Sequence, residues 1–388
     1  MQKNRILITC AKGAGFYLQE ELRALGFPVL AETVASATTE GTMEDAVRLN
    51  LLLCTGQRVL YLVKKFVARD AAELYGEVSK IAWEDYIAED GYLCVTSTVD
   101  NPDIKDSRFA NVKCKDAIVD RIRERLGQRP DSGPEQDRTV VNIYWKGDDC
   151  SLYFDTSGDP LSKRGYRKIP LKAPMQETLA AVVIKATGWD GSRNLINPMC
   201  GSGTLAIEAA LAGLNRAPGI LRNNYGFMHL KNYDKTFWDN LRANARKAAK
   251  KNLQGRIIAT DIREEAVEAA KKNAATAGVE HLIEFKVCDF SQTDVPEGGG
   301  IVLLNPEYGE RMGKIEELEA TYKNIGDFFK QKCGGYSGYI FTGNLELVKK
   351  VGLRSKRKIQ LFNGAIECRL LEYELYAGSR KTRQETEA

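Results

Sequence analysis

Between Asn194 and Ala212 the chain reads NLINPMCGSGTLAIEAALA. The apolar start of this stretch predicts a β-strand, the glycines at Gly201 and Gly203 predict a tight turn, and the Ala/Leu-rich end predicts a helix. A strand, a glycine turn and a helix form the first crossover of a doubly wound α/β sheet. A glycine lets a ligand approach the backbone, and the helix N-terminus directs unpaired N–H groups towards that ligand. The stretch therefore predicts a ligand-binding turn.

A dinucleotide-binding turn is the first alternative for this stretch. The pattern G-x-G-x-x-G/A is formally met, because Ala206 stands three residues after Gly203. The dinucleotide fingerprint also needs an acid about 20 residues further on, whereas the next acid at a predicted strand end is Asp261. Cys200 beside the glycines fits a small residue in a tight turn better than a nucleophile. The spacing of the acid thus argues against a dinucleotide.

Bulk properties narrow the class of protein. The chain has 388 residues, enough for two or three domains. No apolar run is long enough to cross a bilayer, and the first residues lack the apolar core of a signal peptide. Nine cysteines without a C-x-x-C pair indicate reduced thiols in a cytoplasm rather than a zinc ribbon or a disulfide framework. With only two histidines, we expect neither a His-based metal centre nor a Ser-His-Asp triad.

Strand and helix patterns alternate along nearly the whole chain and predict an α/β fold. In the second half the alternation ends in two strands joined through Asn363-Gly364, a strong hairpin signal. We therefore expect a mostly parallel sheet with an antiparallel end. The predicted segments are two α/β regions at 1–60 and 61–156, a polar glycine-rich linker at 157–170, a large sheet domain at 171–377 with an insertion at 215–256, and a polar tail at 378–388.

Two stretches before the large domain are candidates for contact with nucleic acid. The predicted helix 110–126 carries Lys113 and Lys115, but acids interleave with its bases. A solvated charged face and an RNA-binding face are therefore equally compatible with this helix. The linker is rich in Arg and Lys around one tyrosine, which is compatible with contacts to phosphates.

The insertion at 215–256 has a character of its own. It holds ten basic residues and two acids, a net charge of +8. The aromatic residues that interleave with these bases are Tyr225, Phe227, Tyr233, Phe237 and Trp238. Bases contact backbone phosphates and aromatic rings stack on the bases of single-stranded RNA, so the pattern favours nucleic acid. The alternative is an amphipathic helix over 238–253 with a solvated basic face.

Four features of the large domain are expected to meet at one edge of its sheet. They are the turn 197–204, Asp261, Asp289 and the loop 305–308, each of which follows a predicted strand. Ligands of such sheets bind at the carboxyl ends of the strands, where the strand order reverses. One strand-end acid can accept hydrogen bonds from ribose hydroxyls and the next can bind an adenine amino group. A single acid of this kind is often only a helix cap, but two beside a glycine turn predict a nucleoside site.

The loop Asn305-Pro306-Glu307-Tyr308 indicates the chemistry at this edge. The amide oxygen of Asn305 and the carbonyl of Pro306 can accept both N–H bonds of an exocyclic amine and orient its nitrogen, and proline rigidifies the turn. Tyr308 can stack on a base taken out of its helix. The matching methyl donor is S-adenosylmethionine, whose methyl is already activated. The protein then needs mainly to align the reactants and to exclude water.

Several segments together carry a family resemblance. They are Asn197–Thr204, Asn305–Arg311, Lys113–Asp120, Asp155–Arg167, Glu177–Ala181 and Arg216–Gly219. These segments resemble those of the THUMP-domain RNA methyltransferases, and most of all the large-subunit rRNA guanine-N2 methyltransferases, which are often grouped with proteins similar to N6-adenine-specific DNA methylases. The similarity covers nearly the whole chain.

The resemblance implies a ferredoxin-like segment at 1–60 and a THUMP RNA-binding domain at 61–156. After the linker it implies a Rossmann-like class I methyltransferase domain at 171–377 that takes S-adenosylmethionine. The residues that match the cofactor site are Glu177, Thr178, Met199, Gly201, Gly203, Asp261 and Asp289. The residues that match the target-base loop, and are the catalytic candidates, are Asn305, Pro306 and Tyr308. The candidate RNA contacts are Lys113, Lys115, Lys163, Arg164, Arg167 and Arg222.

One position departs from the family pattern. The loop normally reads Asn-Pro-Pro-Tyr, and here Glu307 replaces the second proline. We expect Glu307 to point outward from a loop that keeps its shape; a proton acceptor is the alternative. The resemblance implies methylation of guanine N2 in 23S rRNA or a ribosomal precursor, and we expect the chain to act as a monomer. An adenine-N6 methyltransferase on RNA or DNA stays open, as does a non-catalytic RNA-binding or assembly protein, which Glu307 would favour.

Overall fold

The computed structural model describes residues 3–101, 104, 106–169, 175–308 and 315–376, and the chain forms two compact units. The N-terminal unit comprises Met1–Cys10, Leu18–Lys163 and Pro218–Lys247. The C-terminal unit comprises Ala11–Tyr17, Arg164–Ala217 and Ala248–Ala388. Three predicted features lie outside the described residues: the start of the large domain at 171–174, the loop residues 309–311 and the polar tail 378–388.

Ten α-helices occur in the described residues. They are α1 (Gly15–Ala24), α2 (Met43–Leu52), α3 (Ala71–Ser79), α4 (Ser107–Leu126), α5 (Glu177–Thr187), α6 (Thr204–Gly213), α7 (Lys235–Ala248), α8 (Glu264–Ala277), α9 (Ile315–Lys332) and α10 (Leu345–Val348). Within this part of the chain, no helix has both the length and the apolar composition that crossing a membrane requires.

The N-terminal unit is built on one eight-stranded sheet with the order β2-β3-β1-β4-β8-β7-β5-β6. Its strands are β1 (Asn4–Cys10), β2 (Ala31–Thr33), β3 (Ser36–Gly41), β4 (Gly56–Val67), β5 (Tyr92–Asp100), β6 (Asp131–Ser132), β7 (Thr139–Lys146) and β8 (Asp149–Asp155). β4 pairs with β1 on one side and with β8 on the other. The predicted boundary between residues 60 and 61 therefore falls inside a strand, and the first two predicted segments share one sheet.

Helix α4 shows why the basic stretch of the N-terminal unit is helical. The Asp106 side chain accepts a hydrogen bond from a backbone N–H of the first turn and caps the helix, and Gly127 ends it with φ +78°. The buried face, which includes Ile118 and Ile122, belongs to the same core cluster as Trp145. The helix begins three residues earlier than residue 110, because the polar cap rather than the first apolar residue sets its start.

The aromatic residues of the basic insertion are part of the N-terminal unit. Tyr225, Phe227 and Trp238 are at most 2% exposed, and their ring centroids lie 5.1–5.3 Å apart. The expectation that these rings stack on RNA bases is wrong for these three residues, because they pack on one another inside the protein. The alternation of rings and bases reflects an amphipathic arrangement with a buried aromatic face.

The C-terminal unit is built on a seven-stranded sheet with the order β11-β10-β9-β12-β13-β15-β14. Its strands are β9 (Asn194–Pro198), β10 (Ile257–Asp261), β11 (Ile283–Val287), β12 (Gly300–Leu304), β13 (Tyr336–Thr342), β14 (Arg357–Asn363) and β15 (Ile366–Glu374). The first five strands of this order are parallel, and β15 is antiparallel to β13 and β14. The predicted mostly parallel sheet with an antiparallel end is confirmed.

The strand order reverses on either side of β9. After β9 the chain builds β10 and β11 on one side, and β12 and β13 then form on the other side. Residues of both halves, including Ile196, Val302 and Leu304, are fully buried in one hydrophobic cluster. The carboxyl ends of β9 and β12 therefore lie at the reversal of strand order, beside this buried cluster, which is the place where such sheets bind their ligands.

Candidate functional site

The turn after β9 combines three residues with positive φ. Met199, Gly201 and Gly203 have φ values of 58°, 54° and 82°. The left-handed conformation is unusual for methionine and costs on the order of 1–3 kcal/mol, and such strain concentrates at functional sites. A Cβ at Gly201 would meet no atom within 4 Å, whereas a Cβ at Gly203 would lie 2.9 Å from the Cβ of Ala270 in α8. Gly201 thus leaves open space in front of the backbone, and Gly203 allows helix packing.

Asp261 connects the end of β10 to this turn. Its Oδ2 accepts a hydrogen bond from the Gly201 N–H at 2.9 Å, and its Oδ1 accepts one from the Arg263 N–H at 3.1 Å. The side chain is 6% exposed. A carboxylate oxygen can accept two hydrogen bonds, so the Oδ2 atom that holds the turn can also accept a ligand hydroxyl. The structure therefore places Asp261 beside the glycine turn, as the sequence predicts.

Asp289 follows β11 and is exposed. It accepts hydrogen bonds from the Ser291 N–H at 2.9 Å and from the Ser291 hydroxyl at 2.6 Å, and it caps the short 3₁₀ turn that begins at Phe290. The structure thus shows the helix-cap role that any strand-end acid can have. Its predicted contact with the adenine amino group stays a prediction.

The N-terminus of α5 adds buried polar groups to this edge. Arg167 Nη2 lies 3.5 Å from Glu177 Oε2 and donates to the Thr204 hydroxyl at 3.1 Å. Burial raises the pKa of the Glu177 carboxyl, and the positive charge of Arg167 opposes that shift. The Thr178 hydroxyl oxygen is buried and has no hydrogen-bond partner in the described residues. A hydroxyl of this kind is a group that a bound ligand can satisfy.

The loop after β12 begins with a prepared acceptor. Asn305 Oδ1 is buried and has no hydrogen-bond partner among the residues that the structure describes. Leaving a buried acceptor unpaired costs about 1–3 kcal/mol, so an unpaired Asn305 Oδ1 in a folded protein needs an explanation. An N–H donor of a substrate amine supplies one. Pro306 beside it is buried and Glu307 is exposed, which agrees with the expectation that Glu307 points outward.

Tyr308 is held by the antiparallel end of the sheet. Its hydroxyl accepts a hydrogen bond from Asn363 Nδ2 at 3.2 Å. A Cβ at Gly343, directly after β13, would lie 2.9 Å from the Tyr308 ring, so the glycine is needed for this close approach. Burial raises the pKa of Tyr308 to about 12. The residue is therefore a neutral, oriented phenol over the whole physiological range, suited to packing rather than to proton transfer.

A family model described as "RMKL-like, methyltransferase domain" matches residues 164–372, which is more than half of the chain. A model described as "THUMP domain" matches residues 68–155, and one described as "RlmL ferredoxin-like domain" matches residues 5–60. The chain belongs to the RMKL-like methyltransferase family. The resemblance to THUMP-domain methyltransferases and the predicted fold class are confirmed.

Curated relatives support this membership. The "Ribosomal RNA large subunit methyltransferase K/L" of Syntrophotalea carbinolica is 38% identical over 381 residues, which cover 96% of this chain and 53% of that protein. The protein slr0064 of Synechocystis sp., named as a candidate RNA methyltransferase, is 33% identical over 95% of this chain and 96% of its own length. The chain thus spans about half the length of the K/L relatives and nearly all of slr0064.

Solved structures show the same fold. SMU.472, a protein assigned as a methyltransferase and crystallised with SAH, has a TM-score of 0.87 at 27% identity and covers 98% of this chain and 100% of that one. A predicted N6-adenine-specific DNA methylase of Listeria monocytogenes has a TM-score of 0.86 at 29% identity over 98% of this chain and 97% of its own. The RMKL-like methyltransferase domain is therefore folded here as in these proteins.

Two predicted RNA contacts of this family member lie inside the protein. Arg164 is 2% exposed, and its guanidinium forms an ion pair with Glu208 at 3.3 Å. Arg222 is 7% exposed and donates hydrogen bonds to backbone carbonyls, including that of Pro160 at 2.8 Å. A phosphate cannot reach either guanidinium, so the expectation of direct RNA contact is corrected. Both arginines stabilise the fold around the linker, because a buried charge needs partners.

The other four predicted RNA contacts are more open. Arg167 is partly buried beside Glu177, as described above. Lys163 is two-thirds exposed with an Asp159 partner, Lys115 pairs with Asp116, and Lys113 lies over a phenylalanine ring of α4. Surface pairs of this kind contribute little to stability and can be exchanged for phosphates. Their role in RNA binding stays a prediction.

Asn273 is a site residue that the sequence analysis missed. It is fully buried in α8; its Oδ1 accepts a hydrogen bond from the Lys168 N–H at 2.9 Å and its Nδ2 donates to the Ser202 carbonyl at 3.2 Å. The side chain thereby joins the glycine turn to the first residues of the methyltransferase domain. The sequence feature that could have identified it is a single asparagine among the alanines on one face of the predicted helix.

Proposed function

We propose that this chain is an S-adenosylmethionine-dependent methyltransferase that modifies an exocyclic amine of RNA, most specifically guanine N2 of large-subunit rRNA. The buried Oδ1 of Asn305 carries this proposal, because it has no hydrogen-bond partner among the described residues and follows β12 at the strand-order reversal, across from the glycine turn that follows β9. The names of the K/L relatives support the rRNA substrate, and the SAH in the SMU.472 crystal supports the cofactor.

The residues of the C-terminal unit fit the donor. Gly201 leaves space before the backbone, and Asp261 offers carboxylate oxygens for hydroxyls. The buried Thr178 hydroxyl has no hydrogen-bond partner among the described residues. When bound, S-adenosylmethionine supplies a methyl group on a positively charged sulfur. We assign Glu177, Met199, Gly203 and Asp289 to the same donor site.

The loop after β12 would orient the acceptor. Asn305 Oδ1 and the Pro306 carbonyl accept the two N–H bonds of the amine, which turns the nitrogen lone pair towards the methyl. Tyr308, held by Asn363, packs against the base. The chain then contributes alignment and exclusion of water. The new N–C bond would replace the S–C bond, whose electron pair stays on sulfur, and the amine would release its extra proton to solvent.

We further propose how the remaining parts serve this reaction. Residues 1–60 and 61–156 form the ferredoxin-like segment and THUMP domain that hold RNA, and residues 171–377 carry out the transfer. We propose 23S rRNA or its precursor as the partner, with the chain acting as a monomer in the cytoplasm. The family matches at 5–60 and 68–155 support the assignment of the ferredoxin-like segment and the THUMP domain.

Nucleoside analysis tests the proposal. The chain is incubated with labelled S-adenosylmethionine and 23S rRNA, and the digested RNA is analysed by mass spectrometry. We expect N2-methylguanosine; N6-methyladenosine would instead establish the adenine alternative, since the same loop presents either amine. Absence of donor binding in calorimetry would overturn the catalytic function and leave a non-catalytic RNA-binding protein.

A further inference from the structure

The two strands that lead into the proposed site stop pairing through their backbones before the site begins. β9 and β12 pair at Asn194 with Gly300, at Leu195 with Ile301 and at Ile196 with Val302, where the ladder ends. On the other side of β9, pairing with β10 continues to Pro198. Backbone pairing of β9 thus ends two residues earlier on the β12 side, the side of the loop that we propose binds the amine.

Beyond Ile196, a side-chain hydrogen bond takes the place of backbone pairing between β9 and β12. Asn197 Nδ2 donates a hydrogen bond to the Leu303 carbonyl at 2.8 Å. Asn197 directly precedes the Pro198-Met199 start of the donor turn, and Leu303 lies two residues before Asn305. The amide therefore joins the strand that carries the donor turn to the strand that carries the amine acceptor.

The amide of Asn197 is present despite a cost to folding. The residue is fully buried, and its Oδ1 has no hydrogen-bond partner within the described ranges. A buried unpaired acceptor is destabilising, and an apolar residue of similar volume would avoid it. Of the two polar atoms of this amide, Nδ2 has a hydrogen-bond partner within the described ranges and Oδ1 has none. The bond from Nδ2 to the Leu303 carbonyl is therefore the contact that distinguishes asparagine from an apolar residue here.

We propose that Asn197 is a positioning residue that sets the separation between the donor methyl and the amine oriented by Asn305. This inference rests on the proposed function. Because misplacing reactants by about 1 Å costs on the order of 100-fold in rate, a hydrogen bond that joins the two strands at this point controls the transfer step without touching either reactant.

Asn194 at the other end of β9 is the matched control. Its Nδ2 donates to the Gly299 carbonyl at 3.3 Å and to the Tyr336 hydroxyl at 3.2 Å, and its Oδ1 accepts from the Arg256 N–H at 3.1 Å. It bridges the same strands at the edge away from the proposed site. A purely structural role of strand bridging predicts equal effects of the two asparagines.

The test is the isosteric variant Asn197→Asp, with Asn194→Asp beside it. A carboxylate cannot donate to the Leu303 carbonyl, but a neutral carboxyl group can, and burial raises the pKa of a carboxyl. Relative to wild type at the same pH, we expect the transfer rate of Asn197→Asp to fall on the order of 100-fold near pH 8.5. We expect about tenfold of that loss to be recovered near pH 5.5, while Asn194→Asp shows no such recovery.

Two readouts other than activity accompany the rates. We expect the donor dissociation constant from calorimetry to change less than about threefold, a small part of the rate loss, and amide hydrogen exchange across residues 303–308 to rise. If Asn197→Asp does not fold, Asn197→Ala is assayed in the same way. Because alanine has no titratable group, the loss in Asn197→Ala is expected at both pH values. A folded Asn197 variant with wild-type rates, a loss in Asn197→Asp that does not recover with falling pH, or an equal loss in the matching Asn194 variant would overturn the inference. Failure of the wild-type chain to methylate RNA would instead refute the proposed function.

Discussion

At the residue scale, the described side chains of the site combine satisfied and unsatisfied polar groups. Asp261 uses its oxygens to hold the turn, whereas the Oδ1 of Asn305 is buried without a partner. Leaving a buried acceptor unpaired is destabilising, and a hydrogen-bond donor of a bound ligand can offset that cost. Asp261 thus has a structural role in the turn, whereas Asn305 Oδ1 is the group that we propose accepts a substrate N–H.

Replacing Asn305 with Ala is expected to reduce methyl transfer by on the order of 100-fold or more, since it removes an oriented acceptor at the reacting nitrogen. RNA affinity, measured by fluorescence anisotropy, should stay within about twofold, because contacts between basic side chains and backbone phosphates dominate the affinity. Asn240→Ala, in an exposed position of α7, is the matched control. Unchanged turnover of Asn305→Ala would refute the role assigned to this amide.

The phenol of Tyr308 predicts a pH dependence of stability. Burial raises its pKa to about 12, above an unfolded value of about 10. The folded state therefore binds this proton more tightly, and the resulting stabilisation is complete below pH 10 and is lost as the pH rises from about 10 to about 12. Chemical denaturation of wild type and Tyr308→Phe should give a stability difference that is constant from about pH 7 to 9 and changes above pH 10, in favour of Tyr308→Phe. A constant difference up to pH 11 would contradict the shift.

At the element scale, the glycines of one turn serve different ends. Gly201 faces open space, and Gly203 permits the close packing of the α6 N-terminus on Ala270 of α8. A sequence motif shows both as the same letter. The neighbouring helix decides which glycine concerns the ligand and which concerns packing.

Alanine substitutions at these two glycines are therefore predicted to have different effects on stability and on donor binding. Gly203→Ala should lower the free energy of unfolding by about 1–3 kcal/mol, because its Cβ would overpack against α8, in addition to about 1–2 kcal/mol from its positive φ. Gly201→Ala should cost only about 1–2 kcal/mol from its positive φ, yet weaken donor binding about tenfold or more, since the Cβ enters the ligand space. Urea denaturation and calorimetry measure the two quantities. Full donor affinity in Gly201→Ala would show that the ligand does not approach this backbone.

At the scale of the whole molecule, burial decides which positive charges are available to RNA. Arg164 and Arg222 look like phosphate contacts in the sequence, but their guanidinium groups bind a carboxylate and backbone carbonyls inside the protein. Lys163, one residue before Arg164, is two-thirds exposed. Net charge therefore overestimates the surface that can contact RNA.

Salt dependence distinguishes the buried cations from the exposed ones. Lys163→Ala should reduce the slope of log affinity for rRNA against log salt by about 0.7–0.9, the value for one phosphate contact. Arg222→Met should leave that slope unchanged and lower the melting temperature, because it leaves several carbonyls unpaired. A reduced slope for the folded Arg222→Met variant would restore this arginine to the RNA-binding surface.

Local pattern was enough for much of this protein. The strand–glycine turn–helix at 194–212, the acid after β10 and the hairpin at Asn363-Gly364 were predictable because they rest on contacts between residues close in the chain or on the fixed period of a strand. The family resemblance then added the target-base loop. Burial of Arg164, the aromatic cluster around Trp238 and the bridge made by Asn273 were not predictable in this way.

The succession of strands and helices along the chain and the identity of the turn residues follow from the sequence alone, since glycine, proline and alternating apolar residues act locally on the backbone. Which polar side chains end up paired inside the protein, as Arg164 is, and which buried atoms lack a partner among the described residues, as Asn197 Oδ1 and Asn305 Oδ1 do, was decided only by the tertiary structure. The physical reason is that burial and hydrogen bonding depend on partners far away in the chain, such as Leu303 for Asn197, and no local pattern specifies them.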